Sequence, residues 1–158
     1  MLIVAVILFV SCVYISLSDV RFRKINNKSV IVVALCCIFL GVQQLTFIDI
    51  GYLLLLWIVL LFLFAKRIIG GGDVKLIAAF SLALPTEQLT LALLLTAMIG
   101  GLVSLIYVLI DLSTRRKFFN RERMISINKT AQGIPYGVAI CSGFYFVILI
   151  TLSTGGSS

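Results

Sequence analysis

The sequence predicts an all-α protein with six transmembrane helices, and three observations support that prediction. Of the 158 residues, 61% are hydrophobic, and the mean hydropathy is +1.20. A soluble domain of this size could not bury so much apolar surface, so lipid must solvate most of the chain. The apolar residues form long runs separated by polar segments, and the basic residues occupy only alternate segments, as expected of repeated membrane crossings.

Each apolar run predicts one helix, and the six runs predict one membrane domain over residues 1–152, followed by a flexible polar tail over residues 153–158. The predicted helices span residues 2–18, 29–42, 50–65, 73–84, 89–110 and 135–152. The fourth helix is the shortest, because its run reaches only about 18 Å along a helix axis, against a hydrocarbon core of ~30 Å. We therefore expect this helix to begin inside the membrane, after irregular backbone that lines protein or a water-filled cavity.

The distribution of basic residues predicts the orientation of the chain. The 13 Lys and Arg residues, against 6 Asp and Glu, all follow the first, third and fifth predicted helices. The positive-inside rule places these segments in the cytoplasm and both termini on the opposite side. Such a basic chain could bind nucleic acid if it were soluble. Here we expect no nucleic-acid partner and expect the basic segments to contact anionic lipid headgroups instead.

The sequence offers few side chains for chemistry besides its acids. It has no His, and its four Cys lie within the apolar runs without a C-x-x-C spacing. A zinc site or a Cys–His nucleophile is therefore not expected. We expect neither a metal nor a cofactor.

One of the acids, Asp73, follows Gly70, Gly71 and Gly72 between two apolar runs. Three successive glycines give the backbone a freedom that a helix interior does not need. A carboxylate inside the membrane is costly, and it indicates a functional site. The alternative interpretation is that Asp73 is an ordinary N-cap of the fourth helix.

A second acid, Asp19, ends the first apolar run and is predicted to face the same side as Asp73. Its alternative role is a surface ion pair with Arg21 or Arg23. Two carboxylates about 3 Å apart share a proton, so one can activate water while the other polarises a peptide carbonyl. Such a pair titrates as a unit, and the sequence does not assign either residue as the base.

Three segments carry a resemblance to a known family. Residues 70–73 read Gly-Gly-Gly-Asp, and residues 74–76 continue Val-Lys-Leu. They resemble the GxGD signature of membrane-embedded aspartic proteases, in the form seen in bacterial type IV prepilin peptidases. Residues 19–27 resemble that family's first-aspartate segment, and residues 134–140 resemble its last-helix segment.

The resemblance implies that Asp19 and Asp73 are the catalytic dyad of an enzyme in the bacterial inner membrane. The implied substrate is a prepilin, cut at the cytoplasmic face between its basic leader and its hydrophobic helix. Substrate-binding or loop-shaping roles are implied for Gly70, Gly71, Gly72, Lys75, Asn27, Pro135, Tyr136 and Gly137.

Two departures from the family pattern bear on which form of the family this chain resembles. Asn26 stands where the family usually has Pro. The chain also lacks the extra cytoplasmic region, often with paired cysteines, of the larger enzymes that N-methylate the new terminus. It therefore resembles the short form of tight-adherence (Flp pilus) systems, and no methyltransferase activity is expected.

Two other functions remain open at the level of sequence. A small transporter or channel could use Asp19 and Asp73 as ion sites, but it predicts an inverted repeat, which residues 1–79 and 80–158 do not show. A lipid-headgroup enzyme could use both acids as Mg²⁺ ligands. The sequence does not determine the oligomeric state.

Overall fold

The computed structural model describes residues 2–22, 25–42, 44–118 and 136–154, and these ranges form six α-helices without a strand. The helices are α1 Leu2–Phe22, α2 Asn27–Gly41, α3 Phe47–Ala65, α4 Gly71–Ser81, α5 Thr86–Phe118 and α6 Tyr136–Thr154. By length and composition, α1, α3, α5 and α6 can each cross a membrane. The all-α membrane architecture is therefore confirmed, with two shorter helices, α2 of 15 residues and α4 of 11 residues.

Several helix boundaries differ from the predicted ones. α1 continues to Phe22, so Asp19 lies in its last turn rather than beyond it. α4 begins at Gly71, so two of the three glycines are helical, and the irregular backbone that was expected before Asp73 is confined to residues 66–70. α5 continues into the predicted loop as far as Phe118. α6 continues to Thr154, so the first two residues of the predicted tail are helical. Pro135 and the other tail residues, 155–158, lie outside the described residues.

Four helices form a ring around the core. α1 packs against α2 and α6, and α4 packs against the same two helices. The rings of Phe80 on α4 and Phe144 on α6 stack with their centroids 5.3 Å apart. The distance between α1, which carries Asp19, and α4, which carries Asp73, is therefore set by the two helices that both of them contact.

The inward face of α1 explains how it delivers its carboxylate. Its buried residues Leu8, Cys12, Ile15 and Asp19 follow at steps of four, three and four. This spacing keeps side chains on one face of an α-helix. Asp19 therefore continues the apolar stripe that packs into the core, and its side chain is only 7% exposed.

Small residues bring α6 close to α5. A Cβ atom on Gly143 would collide with Thr96 of α5, and one on Gly100 would lie 3.4 Å from the ring of Tyr136. Near the other end of the pair, the hydroxyl of Thr151 donates to the side-chain oxygen of Gln88 at 2.7 Å. Small residues at a helix interface let the backbones approach, which is how helices commonly associate in lipid. α6 therefore has a defined position along α5.

The end of the bundle opposite Asp19 is held by Asp49. One carboxylate oxygen of Asp49 accepts from the backbone N–H and the hydroxyl of Thr46, at 2.8 and 2.6 Å. The other oxygen accepts from the backbone N–H and the hydroxyl of Thr86, at 2.9 and 2.6 Å. The bond from the Thr46 N–H and the reciprocal bond from the Asp49 N–H to the hydroxyl oxygen of Thr46, at 3.5 Å, form a capping box at the start of α3. The bonds from Thr86 fix the start of α5. Asp49 therefore has a structural role.

We expect Asp49→Ala to destabilise the fold, because it leaves the donors of Thr46 and Thr86 without their acceptor. The expected loss is about 1–3 kcal/mol in the free energy of unfolding. Thermal unfolding of the purified protein in detergent measures it. Glu87→Gln, an exposed change at the same end, is the control, and equal melting temperatures for the two variants would contradict the assignment.

Candidate active site

The two predicted catalytic acids lie at the same end of the ring. Asp19 is in the last turn of α1, and Asp73 is the third residue of α4. Asp19 is buried and Asp73 is half-buried. Burial, and secondly the negative charge of Asp19, raise the pKa of Asp73 to about 6. The structure thus brings the two carboxyl groups, 54 positions apart in sequence, within electrostatic range of each other.

The start of α6 holds Asp19 in place. The backbone N–H of Gly137, the second residue of α6, donates to a carboxylate oxygen of Asp19 at 2.7 Å. The first N–H groups of a helix have no partner within it, and they favour a negative charge. A Cβ atom on Gly137 would lie 2.7 Å from the same oxygen, so a side chain there would push the carboxylate of Asp19 aside. Arg21 was an alternative ion-pair partner for Asp19, but its guanidinium lies over the ring of Phe22.

The turn between α3 and α4 positions Asp73. α3 ends in a Schellman motif, in which the N–H of Ile68 donates to the carbonyl of Leu63 at 3.0 Å. Arg67 takes the left-handed conformation of this motif, with φ of 57°, where glycine is more usual. Gly70 is the N-cap of α4, so the interpretation of Asp73 as the N-cap is wrong. A Cβ atom on Gly70 would lie 3.0 Å from a carboxylate oxygen of Asp73.

The other two glycines serve close packing rather than an extended loop. A Cβ atom on Gly71 would lie 3.0 Å from the ring of Phe64 on α3. One on Gly72 would lie 3.2 Å from the side chain of Ile25, just before α2. The first turn of α4 therefore fits between the end of α3 and the start of α2. Ile25 is a contact that the sequence did not indicate.

Residues of the segment before α2 also reach the site. The ammonium group of Lys75 donates to the side-chain oxygen of Asn27 at 3.2 Å and so links α4 to the first residue of α2. Asn26 caps α2, and its side-chain oxygen accepts from the backbone N–H of Lys28 at 3.1 Å. Asn26 thus starts the helix at the position where the resembled family has Pro.

The structure describes nine of the predicted site residues, and the contacts of eight of them are given above. Tyr136 is the ninth. It is the first residue of α6 and half-exposed, and its ring packs over Gly100 rather than against either acid. Within the described residues, no cluster of three or more His, Cys, Asp or Glu side chains occurs. The arrangement is a pair of unequal carboxyl groups, one bound by a backbone N–H and one with a raised pKa, which suits acid–base chemistry.

We expect Gly137→Ala to impair activity far more than stability, because the added methyl group must displace the carboxylate of Asp19. A shift of about 1 Å in a reacting group can lower a rate by ~10²-fold. The rate of the cleavage that the resemblance implies and the thermal unfolding midpoint should both be measured. Gly101→Ala is the matched control, since a Cβ atom there meets nothing within 4 Å. Equal rates for the two variants would contradict the role of Gly137.

Comparison with known proteins agrees with this site. A family model described as the type IV leader peptidase family matches residues 6–105. The match includes Asp19 and Asp73 and ends within α5, so Gly137 lies outside it. Neither the comparison with curated proteins nor that with solved structures produced a match. Because the family match covers more than half of the sequence, this chain belongs to the type IV leader peptidase family.

Proposed function

We propose that this chain is an aspartic endopeptidase that removes the leader of Flp-type prepilins at the cytoplasmic face of the bacterial inner membrane. Membership of the leader peptidase family supports the reaction class. The observation that carries the mechanism is the hydrogen bond from Gly137 to Asp19, beside a half-buried Asp73. Because this pair can activate a water molecule, the reaction needs no side-chain nucleophile and no His, which the chain lacks.

The two acids divide the work according to their surroundings. Asp19 accepts the Gly137 N–H at the start of α6, which fixes one oxygen of its carboxylate in place, so we assign Asp19 as the base. Asp73 holds the proton, consistent with a pKa raised to about 6 by burial and by the charge of Asp19. A water bound between them gives a proton to Asp19 and attacks the peptide carbon, while Asp73 protonates the carbonyl oxygen. As the tetrahedral intermediate collapses, Asp19 gives its proton to the leaving nitrogen, Asp73 takes a proton from one of the two hydroxyl groups, and the C–N bond breaks.

The charges around the site support cytoplasmic cleavage. The basic residues whose side chains the structure describes at this end of the bundle are Arg21, Lys28, Lys66, Arg67 and Lys75. The end that carries Asp49 and Glu87 has no Lys or Arg among the described residues. Under the positive-inside rule, the site faces the cytoplasm, and the first residue of α1 and the last of α6 face away from it.

The Flp subtype and the absence of methyl transfer rest on the resemblance to the short form, which lacks the extra cytoplasmic region and the paired cysteines of the larger enzymes. Cys12, Cys36, Cys37 and Cys141 are all free thiols within α1, α2 and α6. The transporter and lipid-headgroup alternatives are not carried further, because the family match favours a peptidase.

The dyad predicts a specific pattern of inactivation. Wild type, Asp19→Asn, Asp73→Asn and Glu87→Gln should each be coexpressed with a Flp-type prepilin, with loss of the leader followed by gel mobility. We expect each dyad variant to lose at least about 10²-fold in rate, since each lacks one partner in proton transfer. Glu87→Gln is a better control than a change at Asp49, which would disturb the starts of α3 and α5.

Levels of each variant in the membrane should be compared first. Wild-type processing by either dyad variant would remove that residue from the mechanism. Processing should also persist in the presence of a chelator, because the proposed reaction uses no metal. Loss of processing that added Mg²⁺ restores would revive the metal-dependent alternative.

We also expect the rate to fall as the pH rises above about 6. Since the pKa of Asp73 is raised to about 6, the pair keeps its shared proton below this pH and loses it as the pH rises through it. The value of kcat/KM for the purified enzyme in detergent should therefore fall by about tenfold per pH unit beyond the upper pKa of the pair. A rate that stays constant from pH 5 to 9 would contradict the need for a protonated partner.

A further inference from the structure

A groove between α1 and α6 begins beside the candidate site. Its volume is about 400 Å³, within the range of small ligand pockets. Leu17 and Val138 form its upper end, two positions before Asp19 and next to Gly137. Phe9 and Leu149 lie at its lower end. These residues are about 12–16 Å further along their helices, so the groove descends from the site along the two helices.

The walls of the groove are suited to an apolar occupant. On α1, Phe9, Val13 and Leu17 line it and are 50%, 42% and 65% exposed, so they face the lipid or an apolar occupant. On α6, Ser142 also lines it, but its hydroxyl donates to the carbonyl of Val138 in its own helix at 2.8 Å. The polar group of Ser142 is thus already satisfied, and it requires no polar partner from an occupant.

We propose that this groove holds the apolar helix of the substrate, immediately beyond the peptide bond that is cut. The inference rests on the proposed function and names the surface that binds the substrate. Asp19 itself faces the core, but Val138 follows Gly137, whose N–H binds Asp19, so a peptide bond placed at Asp19 leaves the following residues beside the upper end of the groove. From there a helix entering the membrane can follow the groove.

The direction of the groove agrees with the direction of such a substrate. Its upper end lies at the basic end of the bundle, where a basic leader would remain outside the membrane, and its lower end lies towards the opposite face. Continuity with the hydrogen-bonded Asp19 favours the substrate over a lipid acyl chain, which would gain nothing from an end at the site. The lipid is the alternative occupant that the experiment must distinguish.

Photo-crosslinking of a substrate helix tests the proposal in the intact enzyme. A Flp-type prepilin carrying benzoylphenylalanine at successive positions of its apolar helix should be irradiated in membranes with wild type and with Asp73→Asn, and the adducts mapped by mass spectrometry. We expect adducts at Leu17 and Val138 from the first turn of that helix. Adducts should move towards Phe9 and Leu149 from positions two to three turns later. Adducts confined to α3 and α5 would overturn the proposal.

A matched pair of variants gives a second, kinetic test. Ser142 and Ser153 are both exposed on α6, and each hydroxyl donates to a carbonyl of its own helix. Only Ser142 lines the groove. We expect Ser142→Phe to raise KM by at least about tenfold, the loss of roughly one well-buried apolar side chain, with kcat within about twofold of wild type. Ser153→Phe should change neither constant.

The outcomes separate this inference from the proposed function. If the wild type cuts the prepilin but adducts lie elsewhere and Ser142→Phe keeps the wild-type KM, the groove does not hold the substrate and a lipid chain is its occupant. A loss of kcat at unchanged KM also overturns the inference, because the variant would then act on Asp19. If the wild type cuts no prepilin at all, it is the proposed function that fails.

Discussion

The hydrogen bond from the Gly137 backbone to Asp19 is the interaction on which the site depends. It joins the end of α1 to the start of α6 and offsets part of the free-energy cost of burying a carboxylate. It also favours a glycine, because a Cβ atom at residue 137 would lie 2.7 Å from a carboxylate oxygen of Asp19 and push it aside. α6 is in turn held against α5 by close contacts at Gly143 and Gly100. The geometry of Asp19 is therefore set by helix packing that extends well beyond the site.

Asp49 and Asp73 show how one residue type serves opposite purposes in this bundle. Asp49 accepts four hydrogen bonds from Thr46 and Thr86, which use both carboxylate oxygens to join two helix starts. Asp73 is half-buried near another negative charge, and these surroundings raise its pKa to about 6. A fully bonded carboxylate contributes to stability, whereas one that can gain and lose a proton near neutral pH is available for chemistry. The acid at one end of the bundle, Asp49, thus serves stability, whereas Asp73 at the other end serves the proposed catalysis.

The site uses parts of four helices, each held by a short local feature. The Schellman motif at Arg67 turns the chain from α3 into α4, the cap at Asn26 starts α2, and Lys75 links α4 to that start. Because α1 and α4 share α2 and α6 as neighbours, the spacing of the acids does not require a direct contact between their own helices. The groove between α1 and α6 arises from the same packing that places Asp19.

The sequence by itself determined the membrane character, the six helices, the separation of charge between the two ends and the two candidate acids. Each of these follows from side-chain chemistry, which is read directly from residue types: apolar runs require lipid, and an acid among them is conspicuous. Only the tertiary structure decided that Gly137 supplies the donor to Asp19, that Gly71 and Gly72 are helical and packed on Phe64 and Ile25, and that Asp49 is structural. Almost every residue has a backbone N–H, and its partner depends on how distant helices meet. The residue type therefore does not predict which group that N–H will bind.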